Sequence, residues 1–263
     1  MMKGRQKIMS KVNTVFIIPL HKDDEMVFDA LGSIPNNEKY QAIVFCPQVV
    51  ADWFNKKAKG VDRCEVLVVD GNSTYPNLVN AGIEESKKHD PEFISILEYD
   101  DTLTPNCDKI LSRYLDDDEV GIFAPLSCVV KDGEDGDKPT LIGIANEATF
   151  APNIAEQEGY FDFNMMLKTN FLFVNGTFIR PSVIEEYGPF KTNFEMFYDY
   201  EWALRMVYCG AIIKSIPKVT HLHRMNLSGA FEEAKKAPKE VREKWLGASR
   251  REYFFIEDRE LDI

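Results

Sequence analysis

The chain has 263 residues, 44% of them hydrophobic, and a formal charge of -12, enough apolar material for one sizeable core. The acidic balance excludes nucleic-acid binding driven by net charge alone, since any such contact would need a local basic patch. No apolar run reaches the length of a membrane span, residues 1–13 lack the apolar block of a secretory signal, and five widely spaced cysteines form no C-x-x-C pair. The expected setting is therefore reduced and cytoplasmic.

Residues 1–12 read as an extension. Residues 14–20 (TVFIIPL), 41–45 (QAIVF) and 65–69 (EVLVV) are short apolar runs of the kind that form strands buried on both faces. Amphipathic stretches over 25–32 and 50–57 separate them, which predicts parallel strands joined by helical crossovers. A helix over 77–88 and a strand over 93–99 extend the series. Thr104, followed by Pro105, predicts a capped helix to residue 115, and 121–125 a further strand. Residues 131–138 (KDGEDGDK) read as a solvated loop. Beyond it a strand is expected over 170–180, a helix over 181–187 stopped by Gly188, a helix over 199–209 stopped by Gly210, and a strand over 211–217. The tail from residue 231 has helical composition, with Tyr253, Phe254 and Phe255 expected to dock it.

In an open α/β sheet ligands bind beyond the carboxyl ends of the strands. Three runs end in polar groups: Pro19, His21, Lys22, Asp23 and Asp24 after the first; Asp70, Gly71, Asn72, Ser73 and Thr74 after the third; Glu98, Tyr99, Asp100 and Asp101 after the fourth. Carboxylates at alternate positions of a strand end can converge on one hard divalent cation, which also takes substrate phosphate oxygens. Neither G-x-x-x-x-G-K-[ST] nor G-x-G-x-x-G occurs, so side chains and metal would have to hold any nucleotide phosphates. His221 and His223 alternate as on one face of a strand and could bind metal or form a polar strand end.

These motifs, in this order, resemble the family 2 glycosyltransferases of the GT-A fold from about residue 15 to 228. FIIPLHKDD is similar to the family's first strand and turn, VVDGNST to its donor-base loop and ISILEYDDTLTP to its metal-motif strand. GPFKTNFEMFYDYEWALRMVYCGAIIKSIP is similar to its acceptor-side segment, and HLHRMNLSG to its closing His/Arg loop. The wording also resembles glycosyltransferase-like proteins of large bacteriophage genomes, which would place the protein in a host cytoplasm. The implied fold is a mixed, mostly parallel sheet flanked by helices: a nucleotide-sugar half over 13–126, an acceptor half over 127–228, and a helical appendage over 229–263.

The resemblance implies a metal-dependent, inverting transfer from a nucleoside diphosphate sugar, with a UDP-sugar expected and Mn2+ or Mg2+ as cofactor. His21 and Asp70 match positions at the donor base and ribose. Pro19, Asn72, Asn80, Asp101 and Arg224 join the expected donor site. Glu98 and Asp100 match the ends of the Asp-x-Asp motif, Asp100 as metal ligand with His223 as a second. Asp199 matches the general base. Glu98 replaces the usual first aspartate, and Tyr198 stands where Glu often precedes the base. Asp199 can also cap its helix, and Glu201, read as a solvated residue, remains an alternative base. Asn80 can also bond locally within its helix. A nucleotidyltransferase, and a non-catalytic carbohydrate- or partner-binding protein on the same scaffold, are the rival readings. A protein, glycan, lipid-linked sugar or modified DNA is open as acceptor.

Overall fold

The computed structural model describes residues 13–58, 64–69, 74–131, 139–225 and 236–260, with 251–260 as backbone alone. The first half forms as its apolar runs require. Strands β1 (Thr14–Pro19), β2 (Tyr40–Cys46), β3 (Cys64–Val68) and β4 (Phe93–Ile96) lie parallel in the order β3-β2-β1-β4. Helices α1 (Met26–Ser33), α2 (Gln48–Lys57) and α3 (Tyr75–Ser86) follow the first three.

β1 is buried throughout, and the strand's two-residue period divides its side chains between two cores. Val15 and Ile17 pack with Leu78, Val79 and Ile83 of α3, whereas Phe16 and Ile18 pack with Val27 of α1 and Phe54 of α2. Gly82 lets α3 approach closely, because a Cβ there would collide with Ile17 Cγ2.

The second half completes a nine-stranded sheet among the described residues. Its elements are β5 (Thr102–Leu103), α4 (Cys107–Leu111), β6 (Ile122–Lys131), β7 (Thr140–Ala145), α5 (Phe163–Lys168), β8 (Phe178–Ile179), α6 (Pro181–Tyr187), α7 (Tyr198–Tyr208), β9 (Ile213–Arg224) and α8 (Lys239–Glu260). β8 lies antiparallel between β4 and β6, β9 runs parallel to β6, and β5 and β7 are antiparallel edge strands. The carboxyl ends of β1 to β4, β6 and β9 therefore share one edge of the sheet.

Four local expectations change. The fourth strand stops at Ile96, and Glu98 to Asp101 form a turn closed by Asp101 N–H donating to Glu98 O at 3.1 Å. Thr104 caps no helix: its hydroxyl donates to Val219 O at 3.3 Å and its N–H to Thr220 O at 2.9 Å, which ties it to β9 and leaves α4 only five residues long. The strand expected over 170–180 is confined to Phe178–Ile179, and the preceding chain is irregular. β9 runs past Pro217 to Arg224, because the pairing steps from Pro125↔Ile216 to Leu126↔Val219 and leaves the proline in a bulge, where it owes no ladder bond.

Gly188 (φ 88°) and Gly210 (φ 95°) end α6 and α7 in the left-handed region, as their sequence positions predict. α8 docks through Trp245 on Phe194, with ring centroids 5.4 Å apart, and through Arg250, whose Nε donates to Tyr200 Oη at 2.9 Å. The side chains of Tyr253, Phe254 and Phe255 lie outside the described residues.

Candidate active site

The shared edge of the sheet gathers most of the sequence-selected residues. Pro19 is buried at the end of β1, and exposed His21 sets its ring edge-on to Tyr99 with centroids 5.2 Å apart. Lys22 places its ammonium 5.4 Å over the same tyrosine ring. Asp70 and Asn72 lie outside the described residues.

Two adjacent carboxylates in the turn after β4 sit in opposite environments. Asp101 is wholly buried, and its Oδ1 accepts the Arg224 backbone N–H at 2.9 Å. His223 Nδ1 is 3.0 Å from Asp101 Oδ2, and His221 Nε2 stands 3.2 Å from the same oxygen, an ion-pair distance without hydrogen-bond alignment. Burial alone would raise the Asp101 pKa, but the imidazoles, His221 first, hold it at about 2. Asp101 thus fastens the end of β9 to the turn after β4.

Asp100, next to it, is pushed up to about 6 by burial and then by the charge of Asp101. Half-buried Glu98 is pushed up to about 8, chiefly by burial, with Asp101 and Asp100 adding repulsion against the favourable influence of the nearby Tyr75 hydroxyl. His223 is raised overall: burial opposes its charge, but Asp101, Glu98 and Asp100 favour it.

Two acids held above their ordinary range by burial and mutual repulsion are stabilised as anions by a cation, so this donor set fits a hard divalent ion. Among the described residues no group of three or more His, Cys, Asp or Glu side chains is placed to hold a metal ion by itself. The fit is to an open site that completes its shell with phosphate oxygens and water, as magnesium-type ions do. With Nδ1 donating to Asp101, the corresponding His223 tautomer keeps its lone pair on Nε2, the arrangement common where a carboxylate orients a metal-binding imidazole.

Asp199, on α7, shares a neighbour with this group: after burial, both Glu98 and Asp199 raise the pKa of the Tyr75 hydroxyl. Asp199 is the second residue of the helix, half-buried, and its pKa is raised by burial against hydrogen bonds from backbone N–H groups and Asn170. The helix N-cap is Phe197, in the left-handed region at φ 58°, so Asp199 does not occupy the cap position. Asn170 Nδ2 donates to Asp199 Oδ2 at 3.2 Å. Five residues on, Asn175 Nδ2 donates to Glu98 Oε1 at 3.0 Å, and its Oδ1 accepts from Tyr75 Oη at 3.3 Å. The Tyr75 ring stacks on Tyr198 with centroids 5.3 Å apart, and Phe173 lies 4.7 Å from the His223 ring. The irregular segment 170–177 therefore touches both carboxylate groups and the histidine.

Three expected residues are occupied elsewhere. Asn80 bonds far along the chain: Nδ2 donates to Phe190 O at 2.8 Å and Oδ1 accepts Phe190 N–H at 3.1 Å, which clamps the loop after α6 to α3. Arg224 brings its guanidinium to within 3.7 Å of Asp29 on α1. Glu201 is not solvated; it is 1% exposed and paired with Lys191 at 2.9 Å and Arg205 at 3.0 Å. Sequence reasoning selects none of Tyr75, Asn170 and Asn175, and reads the aromatic stretch 161–173, Phe173 included, as core in preference to a sugar platform. The available signal was in NFLFVNGT, where two asparagines five apart break the alternation of a half-buried strand.

No protein-family model matches the sequence, and comparison with curated proteins found no match. Solved structures do match. S. aureus TarS 1-349 in complex with UDP-GlcNAc superposes with a TM-score of 0.62 at 11% identity, over 90% of this chain and 66% of that one. The same TarS fragment in complex with UDP gives 0.58 at 13% identity, over 92% and 72%. GalNAc-T7 with UDP, GalNAc and Mn2+ gives 0.57 at 13% identity, over 83% and 45%. The chain thus spans about two thirds of TarS 1-349 in its UDP-GlcNAc complex and under half of GalNAc-T7. At these identities the likeness defines the fold, which is GT-A-like: a mixed α/β sheet flanked by helices, with a C-terminal helix added.

Proposed function

We propose that this chain is a metal-dependent glycosyltransferase that moves a sugar from a nucleoside diphosphate sugar, a UDP-sugar first among them, to an acceptor hydroxyl with inversion. The observation that carries the reading is the tying of two acidic groups to one irregular segment of a GT-A-like fold. Segment 170–177 bonds Glu98, which with Asp100 is an acid that a cation would stabilise, and also bonds Asp199, a half-buried carboxylate with a raised pKa. That TarS and GalNAc-T7 bind UDP or a UDP-sugar, the latter with Mn2+, supports the donor class. The order of motifs supports a place among family 2 and, from wording alone, the bacteriophage proteins.

Asp100, with His223 oriented by Asp101, would hold Mn2+ or Mg2+. When bound, such an ion supplies Lewis-acid neutralisation of the diphosphate charge. Pro19 and His21 would border the nucleotide, together with Asp70 and Asn72. Asp199 takes the proton from the acceptor hydroxyl; burial makes it a stronger base than a solvated aspartate, and its amide and backbone donors fix its direction. Glu201, held by Lys191 and Arg205, is left to a structural role. Residues 13–126 would form the donor half and 127–228 the acceptor half. Among the described residues no helix is long and apolar enough to cross a membrane, and all five cysteines are unpaired, which supports a cytoplasmic setting.

The test is turnover of UDP-glucose, UDP-galactose, UDP-GlcNAc and UDP-GalNAc with Mn2+, with UDP release measured and the anomeric configuration of the released or transferred sugar read by proton NMR. Turnover of at least one donor to a product of inverted configuration is expected. Retained configuration would overturn the direct-displacement mechanism, and absence of turnover with every donor would favour a binding protein.

A further inference from the structure

The contact between Asn170 and Asp199 lies where no strand holds either residue. α7 opens at Phe197 with φ 58°, a left-handed turn that a large side chain adopts only when its surroundings impose it, and Asp199 follows two residues on. On the other side the chain leaves α5 at Lys168 and delivers Asn170 to Asp199 two residues later, again without a ladder to fix it.

Both sides of this contact meet one guanidinium. Arg250 of α8 donates from Nε to Tyr200 Oη at 2.9 Å and from Nη2 to Lys168 O at 3.1 Å. Tyr200, 1% exposed, stands next to Asp199, and its hydroxyl donates in turn to Met166 O at 2.7 Å. The Lys168 carbonyl ends α5, where a helix leaves acceptors for side chains to satisfy. Arg250 thus closes a bridge from the end of α5 to the first turn of α7, with Asn170 and Asp199 just beyond its two feet. Guanidinium N–H groups leave in fixed directions, which suits a spacer between two oxygens. α8 adds a second hold through buried Ser249, whose hydroxyl donates to Trp245 O at 3.0 Å and lies 3.5 Å from Phe197 O.

Charge is not the link. The Asp199 pKa is moved by burial first, then by the N–H groups of Tyr200 and Asp199 and by the Asn170 amide, whereas the Arg250 charge acts on Tyr200. We propose that Arg250 is a positioning residue for the base: by tying the end of α5 to Tyr200 it holds Asn170 against Asp199. This rests on the glycosyltransferase reading and extends it by giving the C-terminal helix a part in the transfer step, separate from donor binding.

The experiment compares wild type, Arg250→Ala, Tyr200→Phe and the double variant, each shown to be folded by circular dichroism and assayed well below its melting temperature. UDP release is followed across pH from whichever of the four UDP-sugars named above wild type turns over with Mn2+, and UDP binding is measured by calorimetry. R250A and Y200F should each lower kcat about tenfold, the scale of a lost hydrogen bond to a charged group, and bind UDP within about twofold of wild type. Because both cut the same bridge, the double variant should stay within about threefold of the worse single one, where independent losses would multiply to about a hundredfold. Loosening the Asn170 amide removes a donor that favours the Asp199 anion, so the acid limb of kcat against pH should move to higher pH in all three variants. Losses that multiply, an acid limb that stays in place, or UDP binding weakened as much as kcat would overturn the assignment. If R250A does not fold, Y200F alone carries the criteria on kcat, UDP binding and the acid limb. Failure of wild type to turn over any of the four donors would instead bring down the glycosyltransferase reading together with this extension, so wild-type turnover separates the two failures.

Discussion

The two walls of the candidate cleft are built by different means. On one side, residues from β1 and β4 emerge directly from the ends of buried parallel strands, so sheet geometry alone places them. On the opposite side, Asn170, Phe173 and Asn175 come from a segment with no ladder of its own, positioned by Asn146 and by a glycine at positive φ. Asp199 sits on a regular helix, but that helix starts from a left-handed Phe197 and is packed under α8. The contrast teaches that precision in an irregular wall rests on a few buried side-chain to backbone bonds, whereas the strand-built wall distributes the same task over a whole sheet.

The sharpest way to separate chemistry from scaffold is Asp199→Asn. It keeps the shape of the side chain and should lower transfer about 10²- to 10⁴-fold, the usual worth of a positioned general base, with the melting temperature nearly unchanged. Steady-state rates beside a thermal melt check it. Glu201→Ala attacks the same helix from its structural side. Removing one member of a buried ion pair leaves Arg205 and Lys191 without their carboxylate and should destabilise the chain by about 3–5 kcal/mol in urea unfolding. Asn146→Ala is aimed at the irregular wall alone. It removes three hydrogen bonds at a buried site and should cost about 1–3 kcal/mol while reducing transfer more than UDP affinity. If N146A lowered UDP affinity as much as transfer, the two walls would not be independent.

The same contrast explains what the sequence disclosed. β1 to β3 and their helices were legible because a buried parallel strand writes itself as an unbroken apolar run, and Gly188 and Gly210 because helix stops need positive φ. The carboxylates after β4 were legible as a group, but Asp100 and Asp101 read alike in sequence. Only the approach of His221 and His223 from β9, some 120 residues away, makes Asp101 a fastened anchor with a lowered pKa and leaves Asp100 with a raised one. That strand reads as shorter in the sequence, since Pro217 signals an end unless a bulge absorbs it. Glu201 reads as solvated because helix periodicity does not reveal the partly exposed Arg205 and Lys191 that pair with it. The segment 170–177 misled for a related reason: its apolar residues suggested a strand, while its hydrogen bonds run to the Asn146 side chain and not to a neighbouring ladder.

The central claim is that the acids after β4 hold a nucleotide through a divalent ion. It is tested most directly by thermal melts of wild type and Asp100→Ala with UDP, with and without Mn2+. Ligand that binds only the native state stabilises it by roughly 2.7 kcal/mol at 100 times its dissociation constant. The expected result is a rise in wild-type midpoint that needs UDP and Mn2+ together and disappears in D100A, although the variant alone melts no lower than wild type. A rise of equal size in D100A, or none in wild type with any nucleotide, would contradict it.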